Sequence, residues 1–95
     1  MLDDAFRALS DPTRRQIIHL LRQKDMTAGA IAERFPLAKS TLSGHFNVLK
    51  QAGLIVSERQ GTTIVYSLNS SAFDDVMGAC LEFLDARKAR RGGAK

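Results

Sequence analysis

At 95 residues and 44% hydrophobic, the chain has the length of one packed domain and is too short for two. Its apolar runs are only a few residues long, and the acidic opening Leu2-Asp3-Asp4 lacks the basic flank of a secretion signal. Both features argue against a membrane span and predict a cytoplasmic protein. The lone cysteine, Cys80, can form neither an internal disulfide nor a thiolate cage, and the formal charge of +4 is concentrated at one end.

Arg87, Lys88, Arg90, Arg91 and Lys95 are followed or separated by no acid, so residues 1–86 carry nine basic against ten acidic groups, a net of −1. Residues 87–95 therefore read as a basic, disordered tail that adds nonspecific phosphate attraction to a folded body spanning 1–86. Within that body the signs segregate. Asp3, Asp4, Asp74, Asp75, Glu82 and Asp85 lie near the two ends, whereas Arg34, Lys39, Lys50 and Arg59 stand against a single acid, Glu58, between residues 34 and 66. Such local asymmetry guides an approach to phosphate more than net charge does.

In chain order, a short amphipathic helix over Asp3 to Leu9 carries Leu2, Phe6 and Leu9 on one stripe and stops at Ser10-Asp11-Pro12. Asp11 is a good N-cap and Pro12 a good first helical residue, which predicts a second helix from Pro12 to about Gln23 that buries Ile17, Leu21 and either Leu20 or Ile18. Arg14 and Arg15 fall in its first turn, where they oppose the helix dipole. Two readings follow: a use outside the helix, such as an anion, or a solvated basic turn. Lys24-Asp25-Met26 reads as a connector. Thr27 can cap a third helix over Ala28 to Phe35, with Ile31 and Phe35 inward, ended by Pro36.

The fourth helix, roughly Lys39 to Ala52, has to face two environments. On a wheel of about 100° per residue, Phe46 and Leu49 flank Leu42, while Ser40, Ser43, Gly44, Asn47, Lys50 and Gln51 fill the opposite arc. One side anchors in a core; the other is short, polar and rich in donors, as a DNA major groove requires. Gly53 follows as a natural C-terminal stop. Two consecutive helices joined by a tight break make a helix-turn-helix.

Beyond Gly53 the period changes to alternation. Leu54 to Arg59 and Thr63 to Leu68 flank Gln60-Gly61-Thr62 as a two-stranded wing whose tip gathers Arg59, Gln60, Thr62 and Thr63. A final helix is expected from Ser71, with Asp74 completing a variant capping box, to about Arg87. Phe73, Val76, Met77, Cys80, Leu81, Phe83 and Leu84 cover an apolar arc of roughly 160° on it, wide for a terminal helix. Together with Leu2, Phe6 and Leu9, residues Phe73, Met77, Cys80, Leu81 and Leu84 form a candidate self-complementary dimer interface. The fold class expected is therefore mainly α with a small β-hairpin: five helices and a two-stranded wing, dimerised through the first and last helices.

The chain resembles the ArsR/SmtB family of winged-helix repressors. Ser10-Asp11-Pro12-Thr13-Arg14-Arg15 with Ile17 and Leu20-Leu21 looks like the family's opening signature. Thr41-Leu42-Ser43-Gly44-His45-Phe46 with Leu49-Lys50 and Ala52-Gly53-Leu54-Ile55 looks like its recognition helix, and Arg59, Gly61 and Tyr66-Ser67-Leu68 match its wing. The likeness reaches to about Leu84 and is strongest to the SdpR-type autorepressors, which lack a metal site. It implies a homodimer that represses transcription on a near-palindromic operator in double-stranded DNA. Lys39, Ser40, Thr41, Ser43, Gly44 and Asn47 would enter the groove, with Lys50, Arg59, Gln60 and Thr62 on the phosphate backbone. The SdpR likeness also allows for a membrane-protein partner that sequesters the repressor. Two positions depart from the family: Ala38 stands where a capping serine is usual, and Gly44 replaces the first of a usual His-His pair.

Metal sensing, the family's best-known activity, is not expected here, nor is any cofactor. The region matching the family's Cys-x-Cys site reads Ala28-Gly29-Ala30-Ile31-Ala32-Glu33, and the last helix offers Asp74, Asp75, Glu82 and Asp85 without histidine. Carboxylates alone do not specify a transition metal. Cys80 lies on the apolar stripe as a small core or interface residue. His45, about 60° from Leu42, points to the scaffold side of its helix, and His19 has no ligand-spaced neighbour. No nucleophile, oriented base and pocket come together, so an enzyme is not expected. Two other classes fit the same sequence: a thiol- or ligand-responsive regulator and a winged-helix protein-interaction module.

Overall fold

The computed structural model describes residues 2–93, with side chains described through residue 85. Among these residues five helices and a three-stranded antiparallel sheet follow in the order α1 (Leu2–Leu9), α2 (Pro12–Gln23), β1 (Met26–Thr27), α3 (Ala28–Ala32), α4 (Lys39–Gln51), β2 (Ile55–Gln60), β3 (Thr63–Leu68) and α5 (Ser70–Gly93). The sheet order is β1-β3-β2. The wing thus gains a third strand in the segment expected to be a connector, where Met26 pairs with Tyr66 and Thr27 with Val65. Two residues are too few to show an alternating pattern, and their partner lies far along the chain.

The start of α2 follows from its cap. Asp11 Oδ1 accepts from the backbone N–H groups of Thr13 at 2.8 Å and Arg14 at 3.2 Å, and Pro12 takes the first helical position without wasting a donor. Ile17, Ile18 and Leu21 are buried and Leu20 half-buried, which settles the open alternative in favour of Ile18. The two arginines of the first turn have a use outside their own helix, on carbonyl groups in place of an anion. Arg14 donates to the carbonyls of Ala8 and Arg7, and Arg15 to that of Leu9 at 2.8 Å, so both lie across the C-terminus of α1 and pair with its last carbonyl groups. That gain offsets their unfavourable place in the dipole of α2.

α1 meets the body through Ala5 and Ala8, 2% and 0% exposed, while Leu2 and Phe6 remain exposed and Leu9 is half-buried. Leu2 and Phe6 therefore face away from the core, while Leu9 packs against it. α3 is shorter than expected. Arg34 N–H donates to Ile31 O at 2.9 Å and Phe35 N–H to Ala32 O at 3.3 Å, tightening the last turn, and Pro36 disfavours helical geometry at Phe35. Thr27 caps it as expected, accepting from Ala30 N–H at 3.0 Å.

α4 ends in a Schellman arrangement. Gly53 has φ +76, its N–H donates to Lys50 O at 2.9 Å, and Leu54 N–H donates to Leu49 O at 3.1 Å. Leu49 and Leu54, the apolar pair that accompanies this motif, are both fully buried. The hairpin closes through Gln60 opposite Thr63, leaving a two-residue loop in which Gly61 supplies φ +65, so the expected tip is one residue shorter. α5 starts at Ser70, not Ser71, and its cap is Asn69 in place of the expected capping box. Asn69 Oδ1 accepts from Ala72 N–H at 3.3 Å and Ser71 Oγ at 3.1 Å, its Nδ2 donates to Gly53 O at 2.9 Å, and its N–H donates to Leu54 O at 2.8 Å.

The backbone of α5 continues past the expected end at Arg87 to Gly93, over Ala86-Arg87-Lys88-Ala89-Arg90-Arg91, all good helix formers. The side chains of the basic tail and the backbone of Ala94 and Lys95 lie outside the described residues. One edge of α5 packs on the body through Phe73, Val76 and Met77, whereas Leu81, Phe83 and Leu84 are 58%, 65% and 51% exposed. The radius of gyration, 16.0 Å, exceeds the about 12 Å expected of a globule of this length, and the longest dimension is 60 Å.

Asp11 offers a direct test of the cap. Partial burial opposes ionisation, but the N–H groups of Arg14 and Thr13 and the charge of Arg14 hold its carboxyl below the ordinary value of 3.8. Its contribution is thus present above about that pH and lost as pH falls through the lowered native value. D11A is expected to cost about 1 kcal/mol in urea unfolding at pH 7, with the gap to the parent protein narrowing as pH falls below the ordinary value of 3.8. A gap that stays constant on acidification would contradict the capping role.

Candidate nucleic-acid interface

α4 is held by its inner stripe. Leu42, Phe46 and Leu49 are 1%, 5% and 0% exposed, each burial contributing about 1.5–3 kcal/mol. Phe46 stacks on Tyr66 of β3 with ring centroids 4.4 Å apart and planes 28° apart, which fixes the helix against the sheet. Tyr66 is itself 7% exposed and paired with both flanking strands, opposite Met26 and Ser57. Its role was not singled out from the sequence; the only signal was its place on the inward phase of the β3 alternation.

The opposite face is free. Lys39, Ser40, Thr41, Ser43, Gly44, Asn47 and Lys50 are all exposed, as are Arg59, Gln60 and Thr62 on the wing. Each side chain expected at the DNA surface is therefore available to a ligand. Ala38 begins the helix without a side-chain cap, leaving first-turn N–H groups of α4 without that partner. Gly44 sits mid-helix, and a Cβ added there would meet open space, so nothing in the packing of the chain demands glycine. His45 is half-buried, with Nδ1 3.1 Å from Nη1 of Arg14, which places it on the scaffold edge of α4 as expected.

Among the described residues the other titratable groups gather into no chemical centre. His19 is exposed and pairs with Gln23 at 3.4 Å. Among the described residues no group of three or more His, Cys, Asp or Glu is placed to hold a metal ion. The candidate dimer residues separate into two sets: Leu2, Phe6, Leu81 and Leu84 are exposed, whereas Leu9, Phe73, Met77 and Cys80 are half-buried. Leu9, Phe73 and Met77 pack on the core of their own chain.

Residues 11–57, from the cap of α2 through the first half of β2, match the model for bacterial regulatory proteins of the arsR family. The chain is also 46% identical over 84 residues to the transcriptional repressor SdpR of Bacillus subtilis, covering 88% of this chain and 93% of that protein. The chain belongs to the arsR family. Solved structures agree with this family placement. An ArsR-like transcriptional regulator from Rhodococcus sp. RHA1 superposes with a TM-score of 0.79 at 32% identity, covering 98% of this chain and 87% of that one. A second ArsR family transcriptional regulator reaches a TM-score of 0.83 at 26% identity, over 92% and 90% of the two chains. This arsR-family member is accordingly a DNA-binding transcriptional regulator with a winged helix-turn-helix, and its relatives are regulators, not enzymes.

The anchor of the reading helix can be followed through Tyr66, the one tyrosine in the chain. Burial raises its hydroxyl above the ordinary value of 10.0. Above about pH 10 the unfolded chain ionises while the native ring stays neutral, so native stability falls as pH rises towards the raised value. Absorbance near 295 nm should show phenolate appearing later in native than in unfolded protein, and Y66F should escape that part of the alkaline loss. Coincident titration of native and unfolded protein would contradict this placement.

Proposed function

We propose that this arsR-family protein is a homodimeric, metal-independent repressor that occupies a near-palindromic operator and regulates its own expression in the cytoplasm. The observation that carries the reading is the division of α4, whose apolar residues are buried while each assigned polar residue on the other side is exposed. Lys39, Ser40, Thr41, Ser43, Gly44 and Asn47 are assigned to the major groove, where hydroxyls and an amide address base edges. Lys50, Arg59, Gln60 and Thr62 are assigned to the sugar-phosphate backbone, fixing register without reading sequence. Leu2, Phe6 and Leu9 of α1, with Phe73, Met77, Cys80, Leu81 and Leu84 of α5, are assigned to the two-fold interface.

In this reading the two α4 helices enter successive major grooves on one face of the duplex, with half-site centres about one turn, roughly 10 bp, apart. Release by a membrane protein that sequesters the repressor, in place of a metal, belongs to the same proposal. Among the described residues no helix is long and apolar enough to cross a membrane.

Two classes of variant separate the assigned roles. Exposed positions away from caps typically change stability by less than about 0.5 kcal/mol, so a binding loss there reports a lost contact. S43A or N47A should cost about 1–3 kcal/mol on an operator selected from random duplexes and relax preference at one base pair. K50A or R59A should weaken all sequences alike and lower the slope of log affinity against log salt by about 1. Unchanged operator binding in both classes would refute the assignment of this face.

A further inference from the structure

The guanidinium of Arg14 is committed on all three nitrogens. Nε donates to Ala8 O at 2.7 Å, Nη2 to Arg7 O at 3.2 Å, and Nη1 lies 3.1 Å from Nδ1 of His45. Arginine has no acceptor, so Nδ1 must accept, which leaves the imidazole proton on Nε2. Two partners are last-turn carbonyls of α1 and the third stands in the middle of α4, while the N–H of Arg14 is itself clamped by Asp11 Oδ1 at 3.2 Å. One rigidly rooted side chain therefore ties the arm that presents Leu2 and Phe6 to the helix that presents Ser43 and Asn47.

The surrounding packing gives this tie a task. α1 meets the body through the methyl groups of Ala5 and Ala8 and, at its end, through the half-buried Leu9, a narrow apolar contact that by itself sets direction only weakly because burial is non-directional. The inner stripe of α4 fixes its depth against the sheet. The polar bridge supplies angular restraint between the two helices, because a guanidinium holds its donors in one plane at fixed directions. The magnitude is sufficient to matter. α4 has 13 residues, about 18 Å of rise, so a tilt of about 10° moves its far end by about 3 Å, close to the ~3.4 Å between base steps.

We propose that Arg14, acting through His45, is a positioning residue that sets the angle of the reading helix against the dimer arm and thereby fixes the half-site spacing the repressor accepts. This rests on the dimeric operator reading above. Arg14 touches no base and no phosphate in this role. Lysine cannot replace it, since one ammonium on a flexible stem cannot hold two carbonyls and an imidazole at once. Asparagine can replace His45, because its Oδ1 occupies about the place of Nδ1 and accepts the same bond.

The test uses full-length protein and a duplex selected by the wild type, together with versions carrying one base pair more or less between half-sites. Wild type should lose about tenfold or more in affinity on a one-base-pair change. In R14K and H45L, each verified as a dimer, that ratio should shrink to about threefold or less, with binding to a single half-site unchanged; H45N should restore the wild-type ratio. If R14K does not fold, H45L and H45N decide the matter, as they alter only the α4 end of the bridge. Equal spacing discrimination in wild type and H45L, a uniform loss at every spacing, or failure of H45N to rescue would each overturn the proposal. A wild type that prefers no spacing would overturn the dimeric operator reading together with it.

Discussion

The contact on which the rest of the structure depends is the stacking of Phe46 on Tyr66, with Leu42 and Leu49 buried on either side. It is made between a helix and the central strand of the sheet, and Tyr66 is hydrogen-bonded into that sheet through neighbours on both sides. Removing a large side chain from such a contact costs about 3–5 kcal/mol, whereas exposed changes on the other side of α4 cost almost nothing in stability. The stripe that determines folding and the stripe available for recognition are therefore separable within one helix. Sequence on the outer face can vary with the operator while the scaffold stays intact.

The same economy appears at the helix ends, where each cap also joins two elements. Gly53 ends α4 and offers its carbonyl to Asn69, which caps α5. Asp11 caps α2, and the arginines that follow it close α1. Asn69 additionally receives the start of the wing through its N–H bond to Leu54 O. The orientation of the dimer arm, the reading helix and the wing is thus set largely by directional hydrogen bonds at chain turns, over a core that is otherwise apolar. Hydrophobic burial alone is non-directional and would leave those angles loose.

Features with a local physical cause were legible in the sequence. The starts of α2 and α3 follow from Asp11-Pro12 and Thr27, the stop of α4 from Gly53, and the two faces of α4 from a 3.6-residue period. Features that depend on a remote partner were not. β1 exists because β3 offers it a ladder, not because Met26-Thr27 has strand character. Arg14 and Arg15 look like misplaced charges until the C-terminus of α1 lies beneath them. Asn69 outcompetes Ser71 and Asp74 as a cap because its amide can also reach Gly53 O, a contact made only in the folded chain. At the candidate site, the residues named from the wheel, Ser40, Ser43, Gly44, Asn47, Lys50 and Gln51, are all exposed, whereas the role of Tyr66 beneath them depends on packing that a local pattern cannot show.

The central claim is that the buried stripe of α4 holds the helix so that its hydrophilic stripe can meet a duplex. Residue-resolved NMR of the full protein during titration with its selected operator tests this most directly. The account predicts that amide shifts and protection develop at Ser40, Ser43, Gly44 and Asn47 and at the wing tip, while Leu42, Phe46 and Leu49 keep their free-state packing. Perturbation confined to α5, with the outer residues of α4 unmoved at saturating DNA, would contradict it.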